Sequence, residues 1–351
     1  MGTERDESRI VRLNLTFDGA HPSPDRFQAD PDHPDHPRSN SAAPTRPDAD
    51  EVGRLIIQGN RRYAEFVAAC SAALEGKRPS TRNHPLFLSD RELGLGVLHK
   101  TQSPSLAVMS CIDSRVPVEL ATGQAGNTMF RIRTAGNSLT PIGEARGSLE
   151  YILDAFSVGS PSGTKSVQAI LVLGHTLCGA AGSVHQAVTE GRRSQSGAPR
   201  VSLAAIVNAM TPLVRSVVAA FPSDAPEVQR DIVSHANSIF TAIQVKQMAE
   251  RQGASDGLKF YYATYNVLSP ELFSTNLPTD RDRRGSEAVA EFLASEPSYD
   301  LDRLLVWNHE AASEGYGLQP LDDAIQAAVL AEAGAFGRAC HDPRRGGSRL
   351  V

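Results

Sequence analysis

From Glu51 the apolar residues Val52, Leu55, Ile56, Tyr63 and Phe66 recur at spacings of three and four, which predicts an amphipathic helix. The pattern loosens until Leu106, where LAVMSC forms a short apolar run ending at Cys111, the length of a buried parallel strand. Three more such runs follow: MFRIR at 129–133, VQAILVLG at 167–174 and LKFYYATY at 258–265. Between them, Glu144–Phe156, Val201–Ala220 and Asp231–Arg251 read as helices. Alternation of strand and helix implies an α/β fold, a mainly parallel sheet of four to five strands flanked by helices.

Both ends differ from this middle. Residues 1–50, rich in Ser, Asp and Pro and including DPDHPDHP, hold too little apolar surface to offset the entropy of ordering them, which predicts a disordered tail. Its single apolar patch is IVRLNLTF at 10–17, of which Leu13 to Phe17 is a candidate docking peptide for a protein partner or an arm added to another subunit. After Phe273 the polar connector LPTDRDRRGS leads to two further helices, Glu287–Leu293 and Leu321–Cys340, and a frayed end. The chain thus divides into a tail (1–50), a central domain (51–272) and a C-terminal extension of unassigned role (273–351).

A chain of 351 residues that is 40% hydrophobic can bury a sizeable core. A net charge of -5 makes no general electrostatic case for nucleic acid or an anionic membrane as partner. No apolar run is expected to span a bilayer, and the polar N-terminus does not read as a secretory signal, so the expected location is cytoplasmic. Four cysteines in so long a chain do not suggest a disulfide scaffold; clustered Cys and His in a reducing compartment point to metal or catalysis. Cys70 and Cys340 are expected to be unreactive. His21, His33 and His36 belong to the solvated tail, where intervening prolines prevent helical presentation of ligands. Gly94-Leu95-Gly96 lacks the third glycine and the preceding strand of a phosphate-binding turn.

The chemistry concentrates in SCIDSR (110–115) and GHTLCG (174–179). Cys111 ends one strand run and His175 follows another after Gly174, so both fall at carboxyl ends of strands, where open α/β sheets place their ligands. Two thiolates, Cys111 and Cys178, with the His175 imidazole suit zinc and leave a fourth position open for water or substrate. The competing reading, two buried cysteines and a hydrogen-bonded core histidine, fits each residue alone better than the set of three. Asp113, two positions from Cys111, is placed to orient a metal-bound oxygen, and Arg115 to hold that carboxylate in a bidentate fork. Should Arg115 let go, Asp113 could instead become the fourth metal ligand.

In SCIDSRVPVEL, RTAGN (133–137) and GHTLCGA (174–180), and earlier in LIIQGNRRY (55–63) and TQSPSLAV (101–108), the chain resembles the β-class carbonic anhydrases. The likeness fades near Tyr265. It implies Cys111, His175 and Cys178 as zinc ligands and Asp113 with Arg115 as the catalytic dyad. It offers Gln124 as a pocket amide that could donate to CO2 or bicarbonate, with a surface loop glutamine as the alternative, and sets Gly136 and Gly179 beside the metal. The implied fold is a four-stranded mainly parallel sheet with an N-terminal helical arm embracing a second subunit, hence a homodimer or a multiple of one. The implied activity is reversible hydration of CO2 to bicarbonate and a proton by zinc-bound hydroxide. CS2 or COS hydrolysis on the same site is the alternative enzyme. A zinc-stabilised scaffold tethered through its termini, for example in a carbon-fixing assembly, is the alternative of another class. Three departures stand out: Thr134 where many members have Asn, a longer polar link at 157–167, and YATYNVLSPELF (262–273) in place of the usual signature near the last strand.

Overall fold

Every residue of β1 (Leu106–Cys111) and of β3 (Ala169–His175) is buried, as continuous apolar runs require of strands covered on both faces. They form the centre of a five-stranded sheet of order β2-β1-β3-β4-β5, with β2 spanning Met129–Thr134, β4 Lys259–Tyr265 and β5 Leu272–Ser274. Strands β1 to β4 run parallel and β5 is antiparallel to β4, so the predicted sheet class holds. The hairpin at the divergent 262–273 segment forms all the same, pairing Tyr265 with Leu272. The computed structural model describes residues 47–74, 102, 104–124, 128–140, 143–191, 201–268, 272–274, 287–295, 305–306 and 319–342. The expected tail as far as residue 46, its histidines, Gly94 to Gly96, the connector at 277–286, the frayed end after 342 and the side chain of Cys70 lie outside the described residues.

Alternate residues of each central strand serve opposite layers. Ala107, Met109, Ile170 and Val172 join one apolar cluster with Ile239 and Ile243 of α6 (Pro226–Arg251). Leu106, Val108, Leu171 and Leu173 join the other, with Val52 and Ile56 of α1 (Ala49–Leu74). The N-terminal helix predicted from residue 51 begins two residues earlier, where Asp48 accepts from the Glu51 amide. Helix α1 crosses the short α2 (Val118–Thr122) so closely that a Cβ on Gly59 would lie 2.3 Å from Thr122 O. Helices α3 (Glu144–Phe156), α4 (Gly179–Glu190) and α5 (Val201–Ala220) follow. Helix α6 starts a turn before the predicted Asp231, because Pro226 at its first turn has a backbone already set for helix and no amide to waste.

One sequence expectation needs correction. Leu203–Ala220 of α5 is an 18-residue window long and apolar enough to cross a membrane, although only 22% of it is buried here. Part of the reason for its apolarity is packing, since Met210, Leu213, Val214 and Val217 sit in the main core.

Past the sheet come α7 (Glu287–Ala294), the paired two-residue strands β6 (Leu305–Val306) and β7 (Gln319–Pro320), and α8 (Asp323–Cys340). Asp322 caps α8 by accepting from the amides of Ala324 and Ile325. Helix α8 lies on α6, where Gly337 leaves room for Ile232, and a buried polar network ties it to the sheet. His235 on α6 bonds Thr264 Oγ1 at 2.8 Å and Glu332 Oε1 at 3.1 Å, while Tyr262 donates its hydroxyl to Glu332 Oε2 at 3.0 Å. Glu332→Ala removes the acceptor for two buried donors and is expected to destabilise the chain by about 2–3 kcal/mol in denaturant unfolding; a change below about 0.5 kcal/mol would contradict this role for α8.

Candidate metal centre

The parallel register sets Ser110 of β1 opposite Leu173 of β3, so the two strands finish within one residue of each other, at Cys111 and at His175. A two-residue turn, Thr176-Leu177, then brings Cys178 to the N-cap of α4. The ligating atoms of Cys111, His175 and Cys178 all lie within 4.8 Å of one another, and all three residues are buried. His175 is 0% exposed, and its Nδ1 lies 2.9 Å from Thr176 O. A carbonyl can only accept, so Nδ1 carries the proton and Nε2 presents a bare lone pair. That Nε2 is buried with no hydrogen-bond partner. An orphaned buried acceptor beside two thiols is the environment a cation would complete, and two sulfurs with one imidazole suit zinc.

The two thiols behave as one titrating pair. The Cys111 thiol is driven well below its ordinary range, first by its hydrogen bond with Cys178 and further by His175 and the Asp113 backbone, against the cost of burial. The Cys178 thiol is driven upward, first by that same bond to Cys111 and then by burial. One proton between two sulfurs is a set that a divalent cation would fully deprotonate. The Gly136 amide donates to Cys111 Sγ at 3.3 Å from a left-handed backbone, φ 67°. A Cβ there would also come to 3.1 Å from both Ala180 Cβ and Met210 Sδ, so conformation and packing both call for glycine. A Cβ on Gly179, by contrast, would meet nothing within 4 Å.

Beside the trio, Arg115 grips Asp113 with a full fork: Nε donates to Oδ1 at 2.9 Å and Nη2 to Oδ2 at 2.7 Å, and the Arg115 amide adds a third bond to Oδ1 at 2.9 Å. These bonds, Arg115's side chain foremost, hold the Asp113 carboxyl well below the usual carboxylate range. Asp113 Oδ2 lies 3.9 Å from His175 Nε2, at the edge of the ligand set and paired with Arg115.

Gln124 follows α2. Its amide reaches Thr122 O at 3.5 Å, and among the described residues none of its hydrogen bonds meets the trio or the dyad. Cys340 is half-buried and burial pushes its thiol up to about 12, in line with an unreactive role.

Three residues support the turn: Arg133 belongs to the RTAGN segment, while Asn237 and Asp231 carry no motif of their own in the sequence. Arg133 at the end of β2 donates to Cys111 O at 3.0 Å and Asp113 O at 2.7 Å, fixing the backbone of the CID turn. Asn237 donates to Gly136 O at 2.7 Å, and Asp231 accepts from the Leu177 amide at 2.8 Å. Leu177 needs such support, for its φ of 55° is rare for a leucine and costs about 1–3 kcal/mol. The available signal was a polar stripe at helical spacing on α6, Asp231, Ser234, His235, Asn237 and Ser238, all buried.

Residues 106–269 match the family described as carbonic anhydrase. A carbonic anhydrase of Mycolicibacterium smegmatis is 28% identical over 198 residues, 56% of this chain and 87% of that protein. Carbonic anhydrase 2 of Mycobacterium tuberculosis is 32% identical over 128 residues, and here the match spans 36% of this chain and only 55% of the relative's length. Among solved structures, a β-carbonic anhydrase of Aspergillus fumigatus aligns with 65% of this chain and 97% of its own, at 18% identity and a TM-score of 0.42.

His175→Ala is expected to cut zinc retained after dialysis roughly 10-fold or more, measured by elemental analysis of the folded protein. Retention at the wild-type level would show that the trio is not the metal site.

Proposed function

We propose that this chain, which belongs to the β-class carbonic anhydrase family, catalyses reversible hydration of CO2 to bicarbonate and a proton at a zinc ion held by Cys111, His175 and Cys178. The observation that carries this reading is the set of two thiols and one bare imidazole nitrogen, buried within 4.8 Å of one another beside a carboxylate forked by arginine. Bound there, zinc supplies the Lewis acidity that ionises water, although the familiar water pKa of about 7 belongs to carbonic anhydrases with three histidine ligands and is not transferred to a two-thiolate set.

The chain's own groups do the rest. Asp113, kept ionised by Arg115, accepts a hydrogen bond from the attacking oxygen and so turns that oxygen's lone pair toward the carbon of CO2. Arg115 fixes the carboxylate in that orientation. Burial of the trio limits competition from bulk water. Assembly as a homodimer, or a multiple of one, belongs to the same proposal. Its support is the exposure of two large apolar side chains, Ile112 at 59% beside Cys111 and Tyr151 at 58%.

Stopped-flow hydration on zinc-loaded protein tests the reading. Asp113→Asn is expected to keep its zinc and lose roughly 100-fold in kcat/KM for CO2. Parallel assays with COS and CS2 are expected to show slower turnover than CO2. A zinc-loaded chain inactive toward CO2 from neutral to alkaline pH, or one that prefers the sulfur compounds, contradicts the proposal. Sedimentation at assay concentrations is expected to give an even-numbered oligomer, and a fully active monomer would refute that part.

A further inference from the structure

The turn between His175 and Cys178 is held from both sides at Leu177. Its carbonyl accepts from Arg115 Nη2 at 3.2 Å and its amide donates to Asp231 Oδ1 at 2.8 Å. Asp231 lies in the second turn of α6, is 2% exposed, and does not cap that helix, whose N-cap is Ala225. Its second oxygen, Oδ2, accepts from His341 Nε2 at 3.1 Å. His341 directly follows the last residue of α8 and lies outside the family-matched residues 106–269. Consecutive hydrogen bonds therefore run from the C-terminal extension through Asp231 and Leu177 to Arg115 and Asp113. A buried carboxylate is costly, and burial raises the Asp231 pKa while the bonds from Leu177 and His341 oppose that shift. Those two bonds are its hydrogen-bond compensation, and the charges of His341 and Arg230 add to it.

We propose that Asp231 is a positioning residue for the metal-binding turn and that His341, at the end of α8, holds Asp231 in place, so that the C-terminal extension helps shape the active site. The proposal rests on the metal centre proposed above. Asp231 acts through Leu177: it keeps that residue in its left-handed conformation, which sets both the spacing of His175 and Cys178 and the carbonyl on which Arg115 rests. Without it the turn can relax, the ligand pair loosens and the fork on Asp113 loses one of its supports.

The test uses the full chain loaded with zinc and reads two quantities, the rate of zinc loss to a chelator and the separate kcat and KM for CO2. Asp231→Ala is expected to speed zinc loss roughly 10-fold and to lower kcat by a similar factor with KM little changed. Asp231→Asn keeps the oxygen that accepts from Leu177, and His341 can switch tautomer to accept from the new amide, so both readouts should recover to within about 3-fold of wild type. His341→Ala should fall between the two. Ser157→Ala is the stability control, since it breaks a buried bond of 2.7 Å to Ala254 O near the opposite ends of the strands; it should lower stability and leave zinc loss unchanged. Wild-type zinc loss and kcat in Asp231→Ala, or failure of Asp231→Asn to recover, overturns the proposal. If Asp231→Ala does not fold, wild-type values for both readouts in His341→Ala overturn it instead. Zinc loss is read without reference to turnover, so a chain that holds zinc through Asp231 yet does not hydrate CO2 would refute the assigned activity and leave the positioning role standing.

Discussion

The whole site depends on parallel strand pairing in register. Because β1 and β3 are direct neighbours running the same way, their last residues, Cys111 and His175, emerge within one residue of each other at the carboxyl end of the sheet. Unpaired polar ligands would be costly in the middle of either strand, where the flanking layers are largely apolar. At the carboxyl ends the backbone is released from the ladder, and a two-residue turn suffices to return Cys178 to the same place. The first amides of α4 face the Cys178 sulfur, and the bonds from Ala180 and Ala181 favour its thiolate.

The second constraint is electrostatic. Three donors and one carboxylate crowd a small buried volume, and each negative group has a defined counterpart. Cys111 receives the Gly136 amide, Asp113 receives the Arg115 fork, and Arg133 neutralises the carbonyls of the turn between them. Arg115 is itself shared between Asp113 and the Leu177 carbonyl, so the Asp-Arg pair and the turn between His175 and Cys178 are mechanically one unit. Asp113 is found on arginine and not on the Cys111, His175 and Cys178 ligand atoms.

Much of this was legible in the chain. Continuous apolar runs marked β1 and β3, and the spacing of Cys111, Asp113 and Arg115, with His175 and Cys178 after the second run, marked the site because each residue type is needed at one backbone position. Helix α3 was read to its ends, since its apolar face is regular and its burial one-sided. Less visible was α6, which is buried nearly all round and so carries polar residues for their bonds to distant backbone. Asp231, Asn237 and His235 looked like ordinary helix positions; their partners, Leu177, Gly136 and Glu332, lie far away in sequence. The role of α8 was likewise hidden, because an Ala-rich amphipathic helix does not announce which surface it will cover.

The most direct test of the account is X-ray absorption at the zinc edge of the purified, zinc-loaded chain. The account predicts two sulfur neighbours at about 2.3 Å together with nitrogen and oxygen neighbours at about 2.0–2.2 Å. A spectrum with four sulfurs, or with none, would contradict a centre built from Cys111, His175 and Cys178.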